Sequence, residues 1–485
     1  MPSRVESHPA AYDVIVIGAG PAGALAAIRA ADLGARTAIV TCGEFGGMAA
    51  NDGPVPVRTL AFAARLMRDA RQLPRYGITI SEPALQYDRL LARVRQVVHD
   101  VSTQSTLRGK VDAQGVTVYE QAGAARFTGP NTIETETGLR LEASKYILCH
   151  GGTSRRLAIP GIELTHKHSH AWKLDGLPQS LLVVGGGDTG VQIASMFHAF
   201  GSKVQLFERG RRILHVADES VAAAVAAGLR ESGVVVREGF GDITSFEKRP
   251  SGVRMNFRDG QRGGSAEAEL VVLAAGWIAD TAHMNLGAAG VELDARGNVK
   301  VDQFLQTTAS HVFAAGDVTG RLMLVPAAIE DGFVAANNAV RGRTLPLPHR
   351  VTPSGSFTHP EYAEVGLTES KARETHDVVT TLVPFEAAVR PIIEGRTFGF
   401  CKLVTDRASC RILGCHVVGE RAVEIAQLAA VAIAANMQVD DLARVAVSFP
   451  TYAEVLIHAA VHAAIELGRP LSGQAEHVRG NSLAA

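Results

Sequence analysis

The stretch DVIVIGAGPAGALAAIRAADLGARTAIVT, residues 13–41, decides how this chain is read. A short apolar run ends at Ile17 and meets Gly18, Gly20 and Gly23. An alanine-rich segment follows, then Gly34 and a second apolar run that stops at Thr41. A brief apolar run closed by glycine predicts a buried strand, and the alanines predict a helix. The pattern recurs in SLLVVGGGDTGVQIASMFHAFGSKVQLFE, residues 180–208, with Gly185, Gly187 and Gly190 in the same places. In both copies 23 residues separate the first glycine from the end of the second strand. A GxGxxG alone is a weak signal, because glycines after a strand often only make a tight turn. Here each set follows a buried strand and opens a helix, which is the setting a bound dinucleotide requires. The glycines let backbone approach a pyrophosphate, and the helix N-terminus supplies N–H donors and the positive end of its dipole.

The rest of the chain bounds this reading. Its 485 residues are enough for about three domains. With 48 Lys+Arg against 49 Asp+Glu, the net charge of −1 excludes a protein that binds nucleic acid or anionic membrane by its overall field. Five scattered cysteines make no disulfide framework, so a reducing cytoplasm is expected. The opening MPSRVESHPAAYD lacks the apolar core of a signal peptide. IAQLAAVAIAANM, residues 425–437, is shorter than a membrane span and carries Gln427, so it predicts a buried helix. Helical segments are expected at 59–75 and 87–106, strand-rich sequence to about 150, and a strand with a glycine turn in HVFAAGDVTG, 311–320. Proline and histidine cluster from about 346 and mark a linker. Beyond it, strands are expected at 398–418 and helices at 421–437 and 451–467, with GQAEHVRGNSLAA as a frayed tail.

Two dinucleotide units, a Gly-Asp turn and a separate C-terminal domain resemble the flavoprotein disulfide reductases, the group of dihydrolipoamide dehydrogenase, mercuric reductase and soluble transhydrogenase. The resemblance covers about 12–470 and rests on GAGPAG, FGG followed by NDGPVPVRTL, GGGDTG, FAAGDVTG with AAIEDG, HPEYAEVGLTE and SFPTYAE. It implies an α/β fold of two Rossmann-like dinucleotide-binding domains plus an α+β C-terminal dimerisation domain. The expected boundaries are 1–155 and 277–345 for FAD, 156–276 for NAD(P)H, 346–475 for the interface domain, and 476–485 for the tail. It also implies a homodimer, with neither nucleic acid nor membrane as partner.

In that family the first unit binds FAD, which assigns Gly18, Gly20, Gly23, Gly46, Gly47 and Asp317, the last on the ribityl chain. Ala125 and Gly151 complete this set. Thr41 stands where an acidic residue usually holds the adenosine ribose, and a hydroxyl does so more weakly. The second unit assigns Gly185, Gly187, Gly190 and Glu208 to NAD(P)H. The Glu208 carboxylate suits the ribose hydroxyls of NADH, while Arg209, Arg211 and Arg212 leave NADPH open. Asp188 falls where the family gates the nicotinamide, and Gln192 replaces a glutamate that helps hold it. Asp188 either contacts the carboxamide, or bars ligands by its charge, or merely caps its helix.

The departures concern one function. The family's redox pair lies in GGTCxNxGCxPxK, and here Ala49 and Pro54 take the two cysteine places. The acid–base histidine of its HPTxxE segment, contributed by the partner subunit, is replaced by Phe449, leaving Glu454 with no histidine to orient. Thiol–disulfide exchange needs a thiolate and a base, and Ala, Pro and Phe are neither. Arg58 aligns with a lysine near flavin N5, where a cation would favour the reduced flavin. Arg58, Asp188, Glu454 and Phe449 are therefore the candidate catalytic set. The expectation is an FAD-dependent NAD(P)H oxidoreductase that delivers electrons from flavin directly to a small quinone-like or aromatic acceptor. Transhydrogenation and a non-catalytic, FAD-binding regulatory subunit are the alternatives.

Three further clusters have plain readings. Cys410 and Cys415 read as incidental strand thiols, with redox pairing as the alternative. His166, His168 and His170 would share one face of a strand, but the resemblance puts a loop and helix start there with Ser169 as N-cap. Glu454, His458 and His462 share one helical face and read as interface residues, with a proton relay or metal site as the alternative. No metal is expected.

Overall fold

The computed structural model describes residues 10–104, 106–348 and 351–471, and the expected tail lies outside them. The chain divides into two compact units. The first takes the described residues within Met1–Leu60, Gln86–Arg156 and Gly276–His349, and the second those within Ala61–Leu85, Leu157–Ala275 and Arg350–Ala485. Residues 61–85, inside the stretch read as 1–155, thus pack with the second unit.

In the first unit, strand Ala10–Ile17 runs parallel to Thr37–Val40 on one side and Arg140–Leu148 on the other. Thr117–Tyr119 extends the parallel sheet beyond Thr37–Val40. Val312–Ala314 pairs with the far end of Arg140–Leu148, while an antiparallel hairpin, Ala125–Gly129 and Thr132–Thr135, pairs with its start. Helices cover such a sheet on both faces, which is why its strands are almost continuously apolar. Ile15, Val16, Ile39 and Ile147 are fully buried. The alanines of helix Pro21–Asp32 let it lie close against helix Val325–Arg341, with Gly332 seated on Ala22.

The second unit repeats the plan. Its parallel sheet runs in the order Val235–Glu238, Lys203–Glu208, Ser180–Val184, Leu270–Leu273, His166–Lys167. A three-stranded antiparallel sheet, Asp242–Arg249, Gly252–Asp259 and Arg262–Ala268, closes the insertion between its last helix and strand Leu270–Leu273. After the linker comes a five-stranded antiparallel sheet, ordered Ser354–Ser356, Tyr362–Gly366, Ile412–Val418, Phe400–Asp406, Val378–Pro384. Helices Ala422–Ala434 and Glu454–Glu466 pack on it. The architecture is two dinucleotide-binding domains followed by an α+β domain.

Several local expectations change. Helix Ala422–Ala434 is not buried all round: Leu428 is 48% and Val431 60% exposed. Ser169 is not an N-cap, because His166–Lys167 is a short strand and Lys167 precedes the 3-10 turn His168–Trp172 without a side-chain cap. The three histidines therefore share no strand face, although the His166 and His170 rings meet edge to face at 4.9 Å. Cys415 does not face Cys410. Its sulfur lies 3.8 Å from Cys401, diagonally across the paired strands, and Cys410 sits in the turn between them with φ +57°. Among the described residues all five cysteines are free, no group of three or more His, Cys, Asp or Glu is arranged to hold a metal ion, and no helix is long and apolar enough to cross a membrane.

Candidate cofactor sites

The two glycine loops are geometric copies. Gly18 and Gly185 turn the chain at φ +106° and +105°, a region closed to most side chains. Gly20 and Gly187 then cap their helices in near-identical extended conformations, ψ −176° and −177°, with no side-chain cap. A Cβ on Gly23 or Gly190 would strike the carbonyl of Gly18 or Gly185. A Cβ on Gly20 or Gly187 would meet nothing within 4 Å. The first and third glycines are thus required by the protein's own packing, and the second leaves the open ground that a pyrophosphate needs beside backbone N–H groups.

In the first unit Gly46 and Gly47, both at positive φ, close over this loop: Gly46 N–H donates to Ala19 O at 2.9 Å, and a Cβ on Gly47 would meet Gly20 Cα at 2.8 Å. Thr41 is buried, its N–H donating to Tyr119 O and its carbonyl accepting from Ala122. Asp317 stands in the turn Gly316–Thr319, near Gly152, and burial pushes its carboxyl above the ordinary range. Asp331 holds that turn by accepting from Gly316 N–H. Gly151 adopts φ +81° and accepts from Asp280 N–H. Ala125 belongs to the hydrophobic cluster beneath strand Ala10–Ile17, so only its backbone could meet a ligand.

His150 is a feature of this unit that the sequence does not single out. Both ring nitrogens are shut off from solvent without a hydrogen-bond partner among the described residues, and burial lowers its pKa to about 4. It is thus a neutral imidazole next to the first glycine loop. Open ground at Gly20 and a buried carboxyl at Asp317 fit a bound FAD, whose pyrophosphate and ribityl hydroxyls want such neighbours. Helix Pro54–Gln72 begins beside Gly53 and carries half-buried Arg58 near its start. Ala49 lies in the short helix Gly47–Asn51. Cys149, the buried thiol next to His150, is pushed far up by desolvation and is no thiolate.

In the second unit each oxygen of Glu208 accepts one backbone N–H, from Gly186 at 2.7 Å and from Gly210 at 2.6 Å. The carboxylate is thereby fixed at the mouth of the loop with lone pairs left for a ribose. Two of the three arginines are engaged: Arg209 with Asp242, and Arg212 with the carbonyls of His215 and Ala217. Asp188 opens helix Asp188–Phe200 but does not cap it. Its Oδ1 instead accepts from the Tyr362 hydroxyl at 2.5 Å, so capping as its whole role is ruled out. Gln192 donates to Asp188 O at 3.3 Å.

Phe449 and Glu454 also lie in the second unit. Phe449 is 75% exposed. Glu454 is buried and accepts from Thr451 N–H at 2.8 Å, so it braces its own helix start. Burial lowers the pKa of His458 and of His462, keeping both towards the neutral form.

Residues 12–332 match the pyridine nucleotide-disulphide oxidoreductase family, and residues 352–460 match its dimerisation domain. A mercuric reductase of Bacillus cereus is 31% identical over 456 residues, covering 92% of this chain and 70% of the relative. A dihydrolipoyl dehydrogenase of Thermus scotoductus is 33% identical over 454 residues, covering 93% and 96%. The HOCl-induced flavoprotein disulfide reductase RclA from Escherichia coli superposes with a TM-score of 0.82 at 25% identity, covering 93% of this chain and 99% of that one. The family's cofactors are FAD and NAD(P)H, and its dimerisation domain supports a homodimer. With both glycine loops, the Gly316-Asp317 turn and the dimerisation domain in place, the chain belongs to the pyridine nucleotide-disulphide oxidoreductase family.

Proposed function

We propose that this protein is an FAD-dependent NAD(P)H oxidoreductase that passes electrons from reduced flavin directly to a small quinone-like or aromatic acceptor, without a disulfide relay. The observation that carries this reading is the joint replacement of the relay: Ala49, Pro54 and Phe449 stand where two thiols and their base would be. Nor does another thiol stand in. Cys149, Cys401, Cys410 and Cys415 are buried. Cys42, exposed beyond the first unit's second strand, is alone. Bound FAD would supply the redox chemistry, linking a two-electron nicotinamide donor to the acceptor.

The chain's residues bind, orient and exclude. Gly18–Gly23 and Gly185–Gly190 hold the pyrophosphates, Asp317 and Glu208 the sugar hydroxyls, and Arg58 supplies a cation for the reduced flavin. Losing two thiols and an imidazole makes the acceptor side apolar, which suits a flat ring. The engaged Arg209 and Arg212 favour NADH over NADPH.

Steady-state NADH oxidation tests this directly. Turnover is expected with menadione or dichlorophenolindophenol, and none with lipoamide or glutathione disulfide. Disulfide turnover would overturn the reading. So would a flavin that NADH reduces rapidly but no acceptor reoxidises, which is the behaviour of a regulatory subunit.

A further inference from the structure

The helix Asp188–Phe200 begins with a contradiction. Its N-terminus is the place for a dinucleotide pyrophosphate, yet its first residue carries a carboxylate. An unrestrained aspartate there folds back on the first N–H groups, because they are unpaired donors at the positive end of the helix dipole. It would then occupy the donors that the pyrophosphate needs and repel it by like charge.

The carboxylate is not unrestrained. Tyr362 donates its hydroxyl to Asp188 Oδ1 at 2.5 Å, and the N-cap position itself is Gly187, with Asp188 the first helical residue. Tyr362 is 3% exposed, and burial together with the Asp188 charge pushes its phenol far up, so it stays the donor. The phenol is also a fixed point. Just before it, His359 N–H donates to Ser195 Oγ of the same helix at 2.8 Å, and Pro360 fills the space a side chain on Gly228 would need. Just after it, Glu364 accepts from Asp218 N–H at 2.9 Å. The start of strand Tyr362–Gly366 is thus fastened to the second nucleotide domain on both sides of the tyrosine.

We propose that Tyr362, from the C-terminal domain, is a positioning residue for NAD(P)H: it holds the Asp188 carboxylate off the helix N-terminus and so leaves those N–H groups to the pyrophosphate. This rests on the reading that the Gly185–Gly190 loop binds NAD(P)H. It gives the C-terminal domain a part in nucleotide affinity besides dimerisation. Asp188 then differs from an ordinary helix cap in one measurable way: its charge becomes harmful only when Tyr362 lets go.

The test uses the full-length FAD-loaded protein, with anaerobic stopped-flow reduction of the flavin by NADH giving a Kd and a limiting rate. Tyr362→Phe should raise the Kd about three- to tenfold at low salt, the size expected for a unit charge a few ångströms from the pyrophosphate. The limiting rate should hold, and the defect should shrink as salt screens the repulsion. In Asp188→Asn the same Tyr362→Phe change should cost nothing, since no charge is left to restrain. An unchanged Kd in Tyr362→Phe overturns the proposal, and so does an undiminished loss in the Asp188→Asn background. Asp188 is exposed, so Asp188→Asn folds even where the buried phenol variant does not. Its own Kd for NADH is the reference against which the double variant is read, so any direct contact of Asp188 with the nicotinamide cancels from the comparison. A parent protein whose flavin neither NADH nor NADPH reduces would instead remove the nucleotide assignment itself, and the inference with it.

Discussion

At the scale of single residues, the two loops separate what the fold demands from what the ligand demands. Gly190 sits so close to the Gly185 carbonyl that a methyl group cannot enter without moving backbone, whereas Gly187 faces open space at φ −76°. Gly190→Ala should therefore destabilise the protein by about 1–3 kcal/mol, as overpacking does. Gly187→Ala should melt like the parent but lose about tenfold or more in NADH affinity, because its methyl group stands where backbone must approach the pyrophosphate. Thermal melts alongside nucleotide titrations check the pair. Equal melting losses in both variants would show that the second glycine also serves packing. Spacing sets apart three glycines in each copy and assigns all of them to the cofactor, and only the packing around them divides their roles. The tie between Asp188 and Tyr362 was not legible in the sequence, because 174 residues separate them and neither carries a local signal for the other.

At the scale of elements, the sequence was a good guide wherever periodicity and punctuation agreed. Strands ended at the glycines, and strands Phe400–Asp406 and Ile412–Val418 with helices Ala422–Ala434 and Glu454–Glu466 fell within a few residues of expectation, whereas strands Ser354–Ser356, Tyr362–Gly366 and Val378–Pro384 carry no expectation. Helix Pro54–Gln72 starts earlier than the expected 59, because Pro54 and Pro56 fall in its first turn, where a missing N–H costs nothing. What could not be read was the pairing of charges between elements. Lys402 lies in the apolar strand Phe400–Asp406, an oddity visible in FCKLVTD, but its partners are remote: Asp218 at 2.9 Å and Glu369 at 2.7 Å. Nearby, His416 bonds Glu364 and the Leu367 carbonyl.

Lys402 and Asp218 are 6% and 2% exposed, so this is a pair whose breaking leaves buried charge. Lys402 holds Asp218 and Glu369 below their ordinary 3.8 and 4.5, and is itself held above 10.5. In the parent, the carboxylate contribution is therefore present above those ordinary values and is lost as pH falls through the lowered ones. The lysine contribution is present below 10.5 and is lost as pH rises through the raised value. Lys402→Met should cost about 3–5 kcal/mol at neutral pH. Between pH 8 and pH 5, where the parent's carboxylate contribution is constant, the variant should grow more stable as the abandoned carboxyls take up protons. Urea denaturation at the two pH values checks this, and a variant whose stability does not rise between them would refute it.

At the scale of the whole molecule, one chain leaves apolar surface that a monomer would not keep. Leu428 and Val431, three residues apart on helix Ala422–Ala434, are exposed in the middle of an otherwise alanine-rich helix, and Phe449 is more exposed still. The apolar run 425–437 predicts a buried helix, and the second chain of a homodimer is the element that would bury its remaining face. If Phe449 lines the acceptor side of the partner's flavin, the two half-reactions must respond differently to loss of the dimer. On that reading acceptor reduction would need both chains, whereas reduction of the flavin by NADH would not. Val431→Asp with Leu428→Asp places charge on the seam and should yield a monomer by analytical ultracentrifugation. In that monomer NADH should still bleach the flavin anaerobically, while menadione turnover falls by about tenfold or more as the aromatic wall is lost. Phe449→Ala in the intact dimer should copy the second defect without the first. If the monomer reduced menadione at the parental rate, the acceptor pocket would belong to one chain, and Phe449 would be only an interface residue.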